Sequence, residues 1–280
     1  MKNALRVVTR SAFFFASLFV SMLASGVVTS SPSLAGNCRT SDLDSVNGSD
    51  SGERVGIQYV YDGDTVTLKD GRKIRLIGIN TPERGRRGKP DQPLALAAKQ
   101  ALQTALLATG NSRAKSVRLY LGREPVDTYG RQLGYLFVNG ESLAEMLLSK
   151  GLGWHVVLPP NTGLAACLAA AEQAAKRRGK GLWQRSLRQF VRSESLLGGG
   201  YQRVRGRVSK VSFAKAWWIN FDDGFVAVIY PENQRYFDRK AVSAWRGKRL
   251  EIEGWVYAAK YRGKRQWRIK LATHYGVTLL

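Results

Sequence analysis

Two neighbouring stretches, 61-YDGDTV-66 and 75-RLIGINTPER-84, set the reading of the first half of the chain. Asp62 and Asp64 stand on either side of one glycine. Arg75, a Thr-Pro turn and Glu83 follow close behind. The surrounding run, VGIQYVYDGDTVTL, alternates and is β-branched, so it predicts strands on both sides of the DGD turn. Asp70-Gly71 is a hairpin signal, and the apolar run after it predicts another strand. Acids and arginines are therefore expected to sit together where short strands meet.

Working outward, ERGRRGKPDQP reads as a basic loop rich in breakers. LALAAKQALQTALLA predicts a helix ending before Gly110. SVRLYLG and QLGYLFV predict strands, with a turn at Asn139-Gly140. Ser142 to Glu145 has capping-box form and opens a helix that stops at Gly151. A last helix is predicted from about Leu164 to Arg178. Strands, helix, strands, helix, helix suggest a small barrel carrying three helices, a β-rich α+β class. After Trp183 the chain turns basic and then glycine-rich, which reads as a linker. Five strand-like segments in 201–280 then predict a second small all-β barrel or sandwich.

The 280 residues carry 44 Lys+Arg against 21 Asp+Glu, a net charge of +23. Such a surface concentrates polyanions: nucleic acid first, anionic lipid or cell-wall polymer second. A basic charge that serves only solubility is the plainer alternative. Lys2, Arg6 and Arg10 precede an uncharged apolar run from Ala12 to Val28, and Ser33 and Ala35 fit a cleavage site. This is the pattern of a secretory signal peptide. The organisation expected is signal peptide 1–35, flexible segment 36–54, first domain 55–184, linker 185–200 and second domain 201–280. Export permits a Cys38–Cys167 disulfide, although Cys167 reads equally well as a buried thiol.

Singly, each polar residue of the first domain has an ordinary structural reading. Asp62 and Asp64 could make a simple turn, Arg75 could lie at a sheet edge, and Glu83 and Arg131 could be solvated loop residues. Together they form a set suited to phosphodiester chemistry. Hard carboxylate oxygens suit Ca2+ or Mg2+. A glutamate can handle water, and guanidinium forks can neutralise charge on phosphorus. His155, alone in an apolar stretch, reads as structural.

DGDTV, IRLIGINTPE, DTYGRQLGYLFVNGESLAEMLLSKGL and AEQAAKRRGKGLW, in this order from Val55 to Gln184, resemble the staphylococcal nuclease (thermonuclease) family. The resemblance implies a five-stranded OB-type barrel with three helices, and Ca2+-dependent cleavage of DNA and RNA. It implies metal ligation by Asp64, Asn80 and the Thr81 carbonyl, with Asp62 behind them. It implies Glu83 as general base or water-orienting residue, Arg75 and Arg131 as phosphate clamps, and Tyr129 as a nucleotide contact. Two departures stand out. Asn80 occupies an aspartate position, which removes a negative charge. Val156 and Leu158 stand where the family has nucleotide-stacking tyrosines.

Residues 201–280 hold 17 Lys+Arg and 6 Asp+Glu, with aromatic residues interleaved among the bases. That pattern suits an OB-like single-strand binder, with Trp217 and Trp267 as candidate stacking residues. The same aromatics could equally form the core of a β domain. The sequence thus points to an exported, monomeric, metal-dependent nuclease with an assisting second barrel. The alternatives are a nuclease-fold binding module and an envelope protein that binds polyanions.

Overall fold

The computed structural model describes residues 38–43, 52–85, 88–106, 116–187 and 190–280. The expected signal peptide lies outside the described residues, as does most of the segment 36–54. Among the described residues, no helix is long and apolar enough to cross a membrane.

Alternation builds the first sheet. In β4 (Lys73–Leu76), Ile74 and Leu76 are buried while Lys73 and Arg75 face outward. β1 (Glu53–Arg54) and β2 (Ile57–Val60) are two halves of one bent segment. β1 pairs antiparallel with β6 (Val117–Val126), and β2 pairs antiparallel with β3 (Thr65–Leu68). β3 is antiparallel to β4, β4 is parallel to β7 (Gln132–Val138), and β7 returns antiparallel to β6. The circuit closes, giving the expected five-stranded OB-type barrel. β5 (Ile79–Asn80) and β9 (Trp154–His155) form a separate pair at its end, and β8 (Glu141–Ser142) extends β7.

Among the described residues, three helices of seven residues or more cover this barrel. In α1 (Ala95–Leu106) the buried residues Ala95, Ala98, Leu102 and Leu106 recur at three- and four-residue steps, one apolar stripe on the core. α2 (Leu143–Ser149) starts where Ser142 Oγ accepts the Glu145 N–H at 3.4 Å, as the capping box predicts. α3 (Ala165–Arg177) presses Leu168 over Gly78, whose φ of +87° suits glycine and whose missing side chain leaves room for that leucine. Cys38 and Cys167 form a disulfide that ties the start of the described chain to α3.

The second barrel repeats the circuit. β11 (Gly200–Phe213), β12 (Trp217–Phe221) and β13 (Val226–Ile229) run antiparallel in succession. β13 is parallel to β15 (Lys264–Lys270), and β14 (Arg249–Tyr261) closes the ring between β15 and β11. Both barrels therefore follow first–second–third–fifth–fourth–first, with the third and fifth strands parallel. A short helix, α4 (Arg239–Ser243), lies between the third and fourth strands, the position α1 holds in the first barrel.

Two expectations for this half need correcting. The end of the stretch 185–200 is built into the second barrel. β10 (Val191–Arg192) pairs parallel with Val204 and Arg205, and Leu196 is buried in the core. β16 (Val277–Leu279) covers the far edge on β14. Trp217 is a core residue at 9% exposure, in phase with buried Ile219 and Phe221 rather than presented for stacking. Trp267 is half-buried against the same core.

The two barrels belong to one compact unit spanning 34–280. An ion pair joins them and continues into charge networks on either side. Lys176 Nζ of α3 lies 2.8 Å from Glu172 and 3.1 Å from Glu253 of β14. Arg203 pairs with Glu253 and Glu251, and Arg205 pairs with Glu251. The Trp183 ring underlies both the Lys176 ammonium at 4.4 Å and the Arg203 guanidinium at 4.8 Å. Burial, with the charge of Glu253 next, raises the Glu172 carboxyl to about 7.

Candidate active-site cleft

Gly63 is what lets two aspartates approach one point. A Cβ there would lie 2.7 Å from both Ala98 and Thr81, so the backbone packs tightly while both carboxylates turn inward. The Asp64 N–H donates to Asp62 Oδ1 at 3.1 Å. Both side chains are buried. Burial first, and then the charge of Asp64, push the Asp62 carboxyl up to about 6.

β3 places Asp64 beside β4: Thr65 pairs with Arg75, and the Leu76 N–H donates to the Asp64 carbonyl at 2.8 Å. Asp64 Oδ2 accepts the Thr81 N–H at 2.7 Å and the Thr81 hydroxyl at 2.9 Å. The Arg75 guanidinium lies 3.2 Å from the same oxygen. Arg75 also donates to the carbonyls of Leu76 and Ile79, both at 2.8 Å, and to Asn80 Oδ1 at 3.1 Å. These bonds hold its fork at the mouth of the acidic cluster.

Glu83 is exposed at the cleft wall. Its backbone N–H donates to Gln92 Oε1 at 2.9 Å, and the Gln92 N–H returns a bond to the Glu83 carbonyl at 3.0 Å. The loop between them is thereby closed at its base. Arg131 precedes β7, the strand parallel to β4, so both arginines come from the one parallel pair in the barrel. Asp127 orients Arg131 through a 2.8 Å ion pair, and the Arg131 guanidinium lies 5.5 Å from the centre of the Tyr129 ring. Tyr129 itself is 82% exposed.

One cleft of 1090 Å³ is lined by Asp62, Asp64, Arg75, Asn80, Glu83, Tyr129 and Arg131. Buried Thr81 supports it from behind. Trp217 and Trp267 do not line it. Val156 and Leu158 form an aliphatic wall. His155 stands apart: its backbone N–H donates to Glu172, and burial, followed by the charge of Lys176, lowers its ring to about 3. It is a neutral structural residue.

Residues not singled out in the sequence also line the cleft: Tyr61, Lys73, Gln92 and Trp255. Lys73 was readable, because it sits two residues before Arg75 in an alternating strand. Trp255 belongs to the second barrel and had no local signal.

Among the described residues, no three His, Cys, Asp or Glu side chains gather as a ready metal cage. The donors here are two carboxylates, the Asn80 amide oxygen and the backbone at Thr81. This hard-oxygen set fits Ca2+ or Mg2+, with less negative charge than a tight site would use. The oxygens of Asp64 and Asn80 already face a cation, the Arg75 guanidinium.

Residues 73–185 match the family model described as staphylococcal nuclease homologue. That span holds both arginines, Asn80, Thr81 and Glu83, while the aspartate pair lies just ahead of it. The thermonuclease of Staphylococcus intermedius is 35% identical over 137 residues, covering 48% of this chain and 78% of that protein. The thermonuclease of Staphylococcus hyicus is 31% identical over 127 residues, covering 44% and 72%. Endonuclease YncB of Bacillus subtilis (strain 168) is 30% identical over 136 residues, covering 47% and 62%.

Proposed function

The chain belongs to the staphylococcal nuclease family, and we propose that it is an exported, divalent-cation-dependent hydrolase of DNA and RNA phosphodiester bonds. The observation that carries the reading is the convergence of Arg75, Arg131, Glu83 and the Asp62–Asp64 pair on one cleft.

Each side chain has a task in this reading. Arg75 and Arg131 bind the non-bridging phosphate oxygens through their forked N–H groups, and neutralise charge as it grows. Glu83, exposed at the wall, orients a water molecule and takes its proton. Asp64, Asn80 and the Thr81 carbonyl would hold the cation, with Asp62 fixing Asp64 through its backbone N–H. A bound Ca2+ or Mg2+ supplies Lewis-acid polarisation of a phosphoryl oxygen. Arg75, now bonded to Asp64 and Asn80, would give its free N–H groups to the phosphate oxygens.

Export is supported by the signal-peptide pattern and by the Cys38–Cys167 bridge, a bond that persists in oxidising compartments. N-terminal sequencing of the secreted or periplasmic protein should begin near Gly36. Recovery of the intact chain from the cytosol would contradict this. Assistance by the second barrel is supported by its charge and by its outer face. There the Arg268 guanidinium lies 5.1 Å from the centre of the Trp218 ring, and Lys270 lies 5.5 Å from that of Tyr230. Trp218 thus takes the stacking role first assigned to Trp217.

The test is incubation of the purified mature chain with DNA and RNA in Ca2+, Mg2+ or EDTA, beside Glu83→Gln. Cleavage should require the cation and fall on the order of 10²-fold or more in the variant. Full activity in EDTA, or an undiminished variant, would refute the reading. Tight binding without cleavage would favour the binding module instead.

A further inference from the structure

The catalytic cleft does not end at the first barrel. Asn80, Glu83, Gln92 and Trp255 line both it and an adjoining pocket of 470 Å³ between the two barrels. Among the described residues, Trp255 is the one contribution of the second barrel to the catalytic cleft. It lies on β14 and is 42% exposed, an unusual display for a large aromatic ring inside a cleft.

Its position is fixed from two sides. In the sheet, Trp255 pairs with Tyr201, and their rings meet edge to face at 5.0 Å. Tyr201 in turn packs on Trp154 at 5.3 Å, and Trp154 is the strand partner of Asn80. An aromatic relay therefore links Trp255 to the strand that carries a proposed cation ligand. Two residues earlier on the same face of β14, Glu253 is held by Lys176 of the first domain. The ring is thus set at the rim by the docking of the barrels, with little left to conformational chance.

The chemistry of its neighbours identifies what it would hold. Arg75 and Arg131 address a phosphate, and Val156 and Leu158 add aliphatic surface to the same cleft. A flat, half-exposed indole beside a phosphate site suits a nucleobase, whose face stacks on aromatic rings whatever its identity. The base must be unpaired to reach it. Resting on the nuclease reading above, we propose that Trp255 is a base-stacking residue of the active cleft, holding the nucleotide next to the cleaved bond. The second barrel is then part of the catalytic cleft and imposes a preference for single strands.

The experiment compares wild type, Trp255→Ala and Trp255→Phe on a single-stranded oligonucleotide. The same variants are then tried on that strand with base-free sites flanking the cleaved bond. Trp255→Ala should raise KM on the normal strand about 10-fold, the order expected for one lost stack, with kcat little changed. Trp255→Phe should recover most of the loss. On the base-free strand the three proteins should be alike. Equal KM values on the normal strand, or the same penalty on the base-free strand, overturn the proposal. Oligonucleotide binding should also quench a tryptophan emission component that Trp255→Phe lacks. This readout survives even if the wild-type chain cuts nothing, the outcome that would defeat the nuclease reading alone. A missing quench overturns the stacking proposal in either case.

Discussion

In the first barrel the third strand turns Lys73 and Arg75 outward, and the turn between the first two strands carries Asp62 and Asp64. In the second barrel the matching strand carries Val226 and Val228 outward, roofed by Trp218 and Tyr230. The matching turn there is Ala214-Lys215-Ala216, with no carboxylate. The circuits are the same, down to the parallel third and fifth strands. Topology alone therefore carries no chemistry; the side chains placed on it do. The acids that the second barrel does bury, Glu251 and Glu253, pair with Arg203 and Arg205 of the same barrel, and Glu253 also docks on Lys176 of the first.

If the Lys176–Glu253 pair docks the barrels, breaking it should give the largest effect. Lys176→Met would leave buried Glu172 without its cation and Glu253 with Arg203 alone. Loss of one partner from such a buried group costs about 3–5 kcal/mol. Urea unfolding should show it, with the barrels separating before either melts. An unchanged single transition would mean that the two barrels are held by other contacts.

The next effect sharpens the same comparison through pH. Glu172 titrates near 7 in the folded chain against an ordinary 4.5, so the folded state holds the extra proton between those values. Its contribution makes stability fall as pH rises from about 4.5 to about 7. His155 acts in the opposite sense. Its folded value of about 3 lies below the ordinary 6.5, so stability rises with pH between them. Glu172→Gln should remove the first slope, on the order of 3 kcal/mol across the window, and leave the second. Thermal melts of both proteins at several pH values measure it. Parallel profiles would show that Glu172 keeps its proton in neither state.

A smaller effect is expected at the first barrel's own acids. Asn80→Asp adds a carboxylate where Asn80 now accepts from Arg75. Ca2+ affinity should rise about 10-fold, because ligand charge sets affinity for a hard cation. Calorimetric titration of the two proteins decides this. Identical affinities would place the cation elsewhere.

Much of this contrast could be read from the chain. QLGYLFV forms β7 over the expected residues, and Ser142 caps its helix, because alternation and capping are local. The site residues of the first barrel converge because they flank adjacent strands. Trp217 was misassigned although its phase was legible: it alternates with Ile219 and Phe221, whereas Trp218 alternates with polar Asn220. The docking was not legible. Lys176 meets Glu253 across 77 residues, and no local pattern marks either as half of a pair. Trp255 enters the cleft through that docking, so it could be found only in three dimensions.

The central claim, that one barrel cuts while its topological twin grips, is tested most directly by matched substitutions on the two circuits. Arg75→Ala and Arg268→Ala each remove one guanidinium facing outward from the parallel strand pair. Steady-state cleavage of a single-stranded oligonucleotide at low and high salt should separate them. Arg75→Ala should lower kcat on the order of 10²-fold at either salt. Arg268→Ala should leave kcat alone and raise KM several-fold, an effect that fades as salt rises. A fall in kcat for Arg268→Ala comparable to that of Arg75→Ala would contradict the division of labour between the barrels.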